Sequence, residues 1–165
     1  MIWIIPASLI VVGLAAVLFV LATDGRYFGK RLMYWFYDRV GPAVFSTRSE
    51  GAQWRALVES LGLRGDEQIL DVGTALGDLP LNVARMPGFR GRVVGIDWSP
   101  RMMDAAQEEA RRRDLEDRVR FEVVDVREGL PCAAGEFDVV VCLGLLETLP
   151  GAEGVLQELR RVLKE

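Results

Sequence analysis

Short apolar runs alternate with helical patterns between residues 68 and 163, and this alternation constrains the fold more than any other feature. Runs of this length that are rich in Val, Ile and Leu indicate buried strands. The four predicted strands are residues 68–72, 92–96, 119–124 and 137–143. Strands that alternate with helices imply a parallel sheet covered by helices on both faces. The predicted fold class is therefore α/β, doubly wound, with four strands.

Local signals predict where several helices begin and end. The Ser99-Pro100 pair is typical of a helix start, with the hydroxyl as cap and proline in the first helical position, and this helix should reach Arg113. The Gly41-Pro42 pair is predicted to end any helix that precedes it. Apolar residues at helical spacing predict a last helix over residues 153–163.

Three of the predicted strands end at an acidic residue. In doubly wound sheets, ligands bind beyond the carboxyl ends of the strands. The candidate residues at these ends are Asp71, Gly73, Ala75 and Gly77 after the first strand, Asp97 and Trp98 after the second, Asp125 and Val126 after the third, and Leu145 and Glu147 after the fourth. Small residues in the first turn would let a ligand approach the backbone, while an acid after the second strand can accept hydrogen bonds from a ribose diol.

The glycine spacing of the first turn separates two classes of nucleotide-like ligand. A dinucleotide fingerprint requires Gly-x-Gly-x-x-Gly, whereas Gly73 is followed here by Ala75 and Asp78. The pattern acid-x-Gly-x-Gly-x-Gly is met at Asp71 and missed only at Ala75. This spacing disfavours a nicotinamide-dependent oxidoreductase.

Residues 47–165 resemble the class I S-adenosylmethionine-dependent methyltransferases, which have a Rossmann-like sheet. The resemblance rests on the segments ILDVGTALGD (69–78), VVGIDWSPRMM (93–103), FEVVDV (121–126), FDVVVCLGLLETL (137–149) and LQELRRVLK (156–164). It implies that the cofactor is S-adenosylmethionine. The last segment resembles the helix that precedes the fifth strand of the family.

The resemblance also implies roles for the residues at the strand ends. Asp71, Gly73, Ala75 and Gly77 would shape the pocket for the methionine end of the cofactor, although Asp71 could instead brace the turn. Asp97 would hold the ribose hydroxyls. Trp98 would lie against the adenine, unless it belongs to the core. Asp125, with Val126 beside it, would accept from the adenine amino group.

Substrate contacts in the family come largely from the segment after the fourth strand, here residues 144–150, which contains Leu145 and Glu147. The sequence identifies no catalytic residue. Because the chain has no histidine, any general base would be a carboxylate, a tyrosine or the substrate itself. Ala75 would be strained by about 1 kcal/mol if its φ were positive.

Residues 1–22 contain no charged residue and consist mostly of Ile, Val, Leu and Ala. A helix of this length reaches roughly 33 Å, enough to cross a bilayer core. A cleaved signal peptide and a buried core helix are the alternatives. Basic residues follow the apolar run rather than precede it, which favours a retained single-pass anchor with the remaining chain on the cytoplasmic side.

Residues 23–46 combine aromatic and basic side chains, among them Tyr34, Trp35, Tyr37 and Arg39. Such side chains suit the lipid headgroup layer, so this juxtamembrane segment is predicted to lie on the inner membrane surface. The alternative is a lid helix packed on the methyltransferase-like domain of residues 47–165. The segment could also lie on the membrane surface and pack on the domain at the same time.

Charge and cysteine content exclude other function classes. The net charge of −4 provides no basic field for a nucleic acid partner. Cys132 and Cys142 occur in a chain without histidine, which does not match the usual zinc patterns, so no metal is predicted and both thiols are expected to be reduced.

Family members continue past the last helix through further strands, whereas this sequence stops at Glu165. A four-stranded sheet would leave the fourth strand with an open edge. We therefore expect an incomplete chain, a protein partner that covers the edge, or a reduced relative without turnover.

Two functions follow from these features. The first is S-adenosylmethionine-dependent methyl transfer to a small lipophilic acceptor delivered by the membrane, such as a lipid headgroup, a quinone or an isoprenoid or pigment intermediate. The second is a non-catalytic, single-helix subunit of a membrane protein complex that retains a degenerate methyltransferase-like domain.

Overall fold

The fold is a parallel four-stranded sheet with helices on both faces. The structure, a computed structural model, describes residues 29–46, 51–149 and 151–165. The strands are β1 (Gln68–Val72), β2 (Arg92–Asp97), β3 (Val119–Val123) and β4 (Val139–Cys142). They are all parallel and lie in the order β3-β2-β1-β4. The predicted α/β arrangement is confirmed for this part of the chain.

Five α-helices of the described residues surround the sheet. They are α1 (Gly29–Ser46), α2 (Gly51–Ser60), α3 (Asp78–Ala84), α4 (Pro100–Arg112) and α5 (Ala152–Val162), with short 3-10 helices at Val126–Glu128 and Leu146–Thr148. The strand order reverses direction at β1, which has β2 on one side and β4 on the other. The crevice at this switch point is where ligands of such sheets bind.

Alternate side chains of β1 enter two separate cores. Ile69 packs in a cluster with residues of α2, α3 and α4, whereas Leu70 and Val72 pack in a cluster with residues of α5. This alternation follows from the two-residue period of a strand. Both faces of β1 are therefore buried, as expected of a central parallel strand.

The start of α4 agrees with its sequence signal. Ser99 Oγ accepts a hydrogen bond from Met102 N at 3.2 Å, and Pro100 occupies the first turn. The predicted end at Arg113 lies one residue past the observed helix. Serine caps and a following proline act locally, so the sequence alone locates this helix.

The Gly41-Pro42 pair does not end α1, and that prediction is wrong. The helix continues to Ser46 with Pro42 inside it. A Cβ atom at Gly41 would lie 2.5 Å from Met102 Cε, so the glycine lets α1 lie very close to α4. Phe45 packs on the same cluster as Met102. This packing offsets the backbone hydrogen bond that proline removes.

The residues after α5 return to the sheet beside β4. Leu163 forms a parallel bridge with Phe137. Phe137 N donates to Val162 O at 2.9 Å, and Lys164 N donates to Phe137 O at 2.8 Å. One end of the β4 edge is therefore paired by the chain itself.

No helix within the described ranges is long and apolar enough to cross a membrane. The predicted spanning segment, residues 1–22, lies outside those ranges.

Candidate active site

The turn between β1 and α3 adopts left-handed backbone conformations. The φ angles are 77° at Gly73, 50° at Ala75 and 75° at Gly77. The amides of Gly73 and Thr74 donate to Ile96 O at 2.9 and 3.0 Å, which joins the turn to the end of β2. Ala75 has a positive φ, the case for which the sequence predicts strain, and it carries strain of about 1 kcal/mol.

Gly77 is required for packing. A Cβ atom there would lie 2.4 Å from Phe121 Cζ, and one at Gly95 would lie 2.7 Å from Phe121 Cε1. The Phe121 ring thus fills a slot between two glycines. The sequence pattern assigned Gly77 to the cofactor pocket and did not reveal this second requirement.

Asp71 braces the turn, which was the alternative for this residue. Its carboxyl is 4% exposed and accepts a hydrogen bond from Thr74 Oγ1 at 2.6 Å. Burial raises the pKa of Asp71 to about 7, partly opposed by the Thr74 hydrogen bond. Asp71 shapes the candidate site through the turn.

Asp97 connects three parts of the fold at the end of β2. Its Oδ1 accepts from Ser99 N at 3.0 Å, and its Oδ2 accepts from Ala75 N at 3.1 Å and from the Tyr37 hydroxyl at 3.2 Å. Burial raises the pKa of Asp97, and these hydrogen bonds oppose the rise. The carboxylate therefore joins the turn, β2 and α1.

Trp98 lies against two tyrosines of α1. Its ring centroid is 4.8 Å from that of Tyr34 and 5.4 Å from that of Tyr37. These distances are in the range of favourable aromatic pairs. The structure places Trp98 in contact with α1 beside the candidate site.

Asp125 is paired with Arg127 just after β3. The carboxylate accepts from Arg127 N at 3.1 Å and from Arg127 Nε at 2.7 Å, and this guanidinium lowers the pKa of Asp125. The same guanidinium donates to the Tyr34 hydroxyl at 2.5 Å and lies 4.8 Å from the Tyr34 ring centroid. Val126 is 8% exposed and packs in the α5-side core with Leu70.

The end of β4 brings Leu145 to the glycine-rich turn. A Cβ atom at Gly73 would lie 3.2 Å from Leu145 Cδ2, so the side chain covers this part of the turn. Glu147 is exposed in the following 3-10 helix. Burial, together with the Asp71 and Glu147 carboxylates, raises the pKa of the Cys142 thiol to about 11.

Helix α1 contributes residues to this site that the lid-helix alternative did not name. Asp38 Oδ1 accepts from Ser99 Oγ at 2.6 Å and from Arg101 N at 3.3 Å. Tyr34 and Tyr37 lie about one helical turn apart, next to Asp38, and this spacing could have indicated one face of a packed helix. The described side chains of α1 thus support the lid-helix alternative for the juxtamembrane segment.

A family model described as a methyltransferase domain matches residues 69–165 of the chain. The matched region begins in β1 and contains every strand-end residue discussed above.

Curated proteins of related sequence include quinone methyltransferases. The chain is 30% identical over 129 residues to a demethylmenaquinone methyltransferase of Lactobacillus johnsonii, covering 78% of this chain and 52% of that protein. It is 27% identical over 134 residues to a 2-phytyl-1,4-naphtoquinone methyltransferase of Trichormus variabilis, covering 78% and 58%. The chain thus spans about half the length of the curated relatives it matches.

Solved structures with the same fold include proteins of two named activities. The (4+2)-cyclase SpnF aligns with a TM-score of 0.70 and 27% identity, over 80% of this chain and 55% of that chain. An S-adenosylmethionine-dependent methyltransferase of Geobacter sulfurreducens in complex with S-adenosylhomocysteine aligns with a TM-score of 0.60 and 25% identity, over 69% and 44%.

Proposed function

The chain belongs to the class I S-adenosylmethionine-dependent methyltransferases, and we propose that it transfers a methyl group to a small lipophilic acceptor of the quinone type. The observation that carries the proposal is the buried Asp97 carboxylate, which is hydrogen bonded to the amide of Ala75 in the glycine-rich turn. An acid at this place in a doubly wound sheet can accept from a ribose diol.

The residues around Asp97 fit this cofactor. We assign the ribose to Asp97, the adenine to Trp98 and Asp125, and the methionine end to the backbone of the turn at residues 73–77. Leu145 lies against Gly73 in this turn, next to the place assigned to the methionine end. Leu145 and Glu147 would then face the acceptor.

S-adenosylmethionine, when bound, supplies a sulfonium-bound methyl carbon for in-line attack. The contribution of this chain is to hold the acceptor in line and to exclude water, since alignment supplies much of the rate of such reactions. Burial and the Asp97 carboxylate raise the pKa of the Tyr37 hydroxyl well above its ordinary value. In this arrangement the Tyr37 hydroxyl therefore stays protonated at neutral pH and donates to Asp97.

The acceptor class is supported by the names of the relatives and by the N-terminal sequence. Two curated relatives are named for methylation of a menaquinone precursor and of a phytyl naphthoquinone. Residues 1–22 and the aromatic and basic segment 23–46 favour a chain held at the bilayer. We therefore propose a single-pass membrane location, with the methyltransferase domain on the cytoplasmic side and a lipophilic acceptor drawn from the membrane.

Calorimetric titration of the full chain in lipid nanodiscs with S-adenosylhomocysteine tests the cofactor assignment. We expect saturable binding, and at least a tenfold loss of affinity in Asp97→Asn, because the amide cannot accept charge-assisted hydrogen bonds. Asp66→Asn is the matched control, since Asp66 is exposed in the turn before β1. A folded wild-type chain that does not bind would contradict the enzyme function.

Transfer of a labelled methyl group from S-adenosylmethionine to demethylmenaquinone in the same nanodiscs tests the acceptor class. We expect label in the extracted quinone. Cofactor binding without any labelled quinone would contradict the acceptor and leave the cofactor assignment in place.

The second candidate function is a non-catalytic subunit of a membrane protein complex, with a protein partner on the β4 edge. The fold by itself does not decide between the two functions, because the similar structure SpnF is named for a cyclase activity. A chain that binds neither S-adenosylmethionine nor S-adenosylhomocysteine and copurifies with membrane proteins would favour this second function.

A further inference from the structure

Helix α1 contacts the groups that the proposed function assigns to the adenosine part of the cofactor, which are Asp97, Trp98 and Asp125. The Tyr37 hydroxyl donates to Asp97 Oδ2 at 3.2 Å. Tyr34 and Tyr37 both pack on Trp98. Arg127, which holds the Asp125 carboxylate, also donates to the Tyr34 hydroxyl. All three groups assigned to adenosine therefore contact α1 directly or through Arg127.

The Asp97 carboxylate has little remaining capacity to accept hydrogen bonds. A carboxylate accepts about four hydrogen bonds, and Asp97 already accepts from the amides of Ser99 and Ala75 and from Tyr37. The backbone amide of Trp98 also contributes to its hydrogen bonding. A ribose diol would bring two further hydroxyl donors, so at least one present donor must leave.

The Tyr37 hydroxyl is the donor that can leave at the lowest cost. The amides of Ala75, Trp98 and Ser99 belong to the backbone that forms the turn and the start of α4, and moving them would disrupt both. The phenol belongs to a side chain of α1, which is half-buried. A tyrosine hydroxyl that leaves a carboxylate can hydrogen bond to water instead.

We propose that Tyr37 is an internal competitor for the cofactor ribose and thereby sets the affinity of the site for the cofactor. Binding of the ribose at Asp97 displaces the phenol and loosens α1 from the end of β2. This inference rests on the proposed function, because it takes Asp97 as the ribose acceptor. When a closed arrangement must open before binding, the apparent affinity equals the intrinsic affinity multiplied by the fraction of chains that are open.

Other contacts keep α1 close while Tyr37 leaves. Asp38 accepts from Ser99 Oγ and pairs with Arg101, with 3.5 Å between Arg101 Nε and Asp38 Oδ2. Phe45 packs on the cluster that contains Met102. The Tyr37 hydroxyl therefore stays near the Asp97 carboxylate. Its competition with the ribose is intramolecular and does not depend on the protein concentration.

Titration of the full chain in lipid nanodiscs with S-adenosylhomocysteine, comparing wild type with Tyr37→Phe, tests the proposal. Phenylalanine keeps the ring on Trp98 but cannot donate to Asp97, so we expect the affinity to rise about tenfold, as for loss of one hydrogen bond to a charged group. Trp35→Phe is the control on the same helix, because the Trp35 side chain is 59% exposed and is assigned no part in the cofactor site. We expect its affinity to change less than twofold.

Unchanged or weaker binding by Tyr37→Phe would overturn the proposal, since a residue that only positions Asp97 should lower the affinity when altered. Backbone hydrogen exchange gives a second readout, in which α1 amides of the wild type should exchange faster at saturating S-adenosylhomocysteine. Unchanged or slower exchange would also overturn displacement. If neither the wild type nor Tyr37→Phe binds S-adenosylhomocysteine, the proposed function is refuted. If the wild type binds and Tyr37→Phe has no higher affinity, only the role of Tyr37 as a competitor is refuted.

Discussion

Asp71 and Asp97 are two buried carboxylates at neighbouring strand ends that differ in the number of donors around them. Asp71 accepts from the Thr74 hydroxyl, and burial raises its pKa to about 7. Asp97 accepts from backbone amides as well as from Tyr37, which opposes the effect of burial on its pKa. The protonation of Asp71 should therefore change near neutral pH.

Replacement of Asp71 by Asn should reduce the pH dependence of stability. The pKa of Asp71 in the folded chain, about 7, lies above that of an unfolded aspartate, near 3.9. The folded state then binds more protons between these values, so the free energy of unfolding falls as pH rises from about 4 to above 7. Chemical unfolding of wild type and Asp71→Asn at several pH values measures the difference in slope.

We expect a shallower slope in Asp71→Asn over this range and no change in Asp66→Asn, because Asp66 is exposed. An identical slope in wild type and Asp71→Asn would show that Asp71 titrates at its ordinary pKa.

Among the secondary-structure elements, helices α1 and α4 both depend on hydrogen bonds of Ser99. Ser99 Oγ caps α4 by accepting from Met102 N, and it donates to Asp38 of α1. Ser99 is fully buried, so water cannot take the place of its hydroxyl at Met102 N or at Asp38 without rearrangement. The cap and the contact between α1 and α4 are therefore coupled.

Replacement of Ser99 by Ala should lower the free energy of unfolding by about 1 to 2 kcal/mol, since the helix loses its cap and Asp38 loses a donor. Ser60→Ala is the control, because the Ser60 hydroxyl is exposed and donates only to Leu57 O. We expect less than about 0.5 kcal/mol for this control in the same denaturant titration. Equal effects of the two substitutions would contradict the role of Ser99.

The arrangement of the whole molecule combines a strand-end site, a covering helix and an apolar N-terminal sequence. Trp35 of α1 is 59% exposed, and Arg39 is also exposed. An aromatic and a basic side chain outside the site are compatible with a headgroup layer. Helix α1 thus contacts Asp97 through Tyr37 and also exposes two residues suited to the membrane surface, Trp35 and Arg39.

Leu14→Arg should weaken membrane association of the full chain. An arginine near the middle of residues 1–22 is about 3 kcal/mol less favourable in a bilayer core than leucine. We expect the wild type and the control Leu14→Ala to sediment with membranes after an alkaline wash, and a large part of Leu14→Arg to remain in the supernatant. The same distribution for all three chains would contradict a spanning segment.

Much of the fold and part of the site follow from local sequence. The strand Gln68–Val72 and the Ser99 cap were predicted where the structure has them, because strand alternation and helix capping act over a few residues. The positions of Asp97 and Asp125 at neighbouring strand ends follow equally from the parallel sheet. The packing role of Gly77 did not, because the Phe121 ring contacts it only in the folded chain. The sequence left open whether Asp71 shapes the cofactor pocket or braces the turn, and the Thr74 hydrogen bond supports the second role.

The sequence alone determined the α/β class, the parallel strands and the family, because hydrophobic period and turn glycines are local properties. Only the tertiary structure decided that α1 continues through Pro42 and that Tyr37 lies on Asp97, sixty residues away along the chain. Packing against Met102 outweighs the local tendency of a Gly-Pro pair to end a helix. Contacts between such distant residues depend on how helices pack, and no local pattern contains that information.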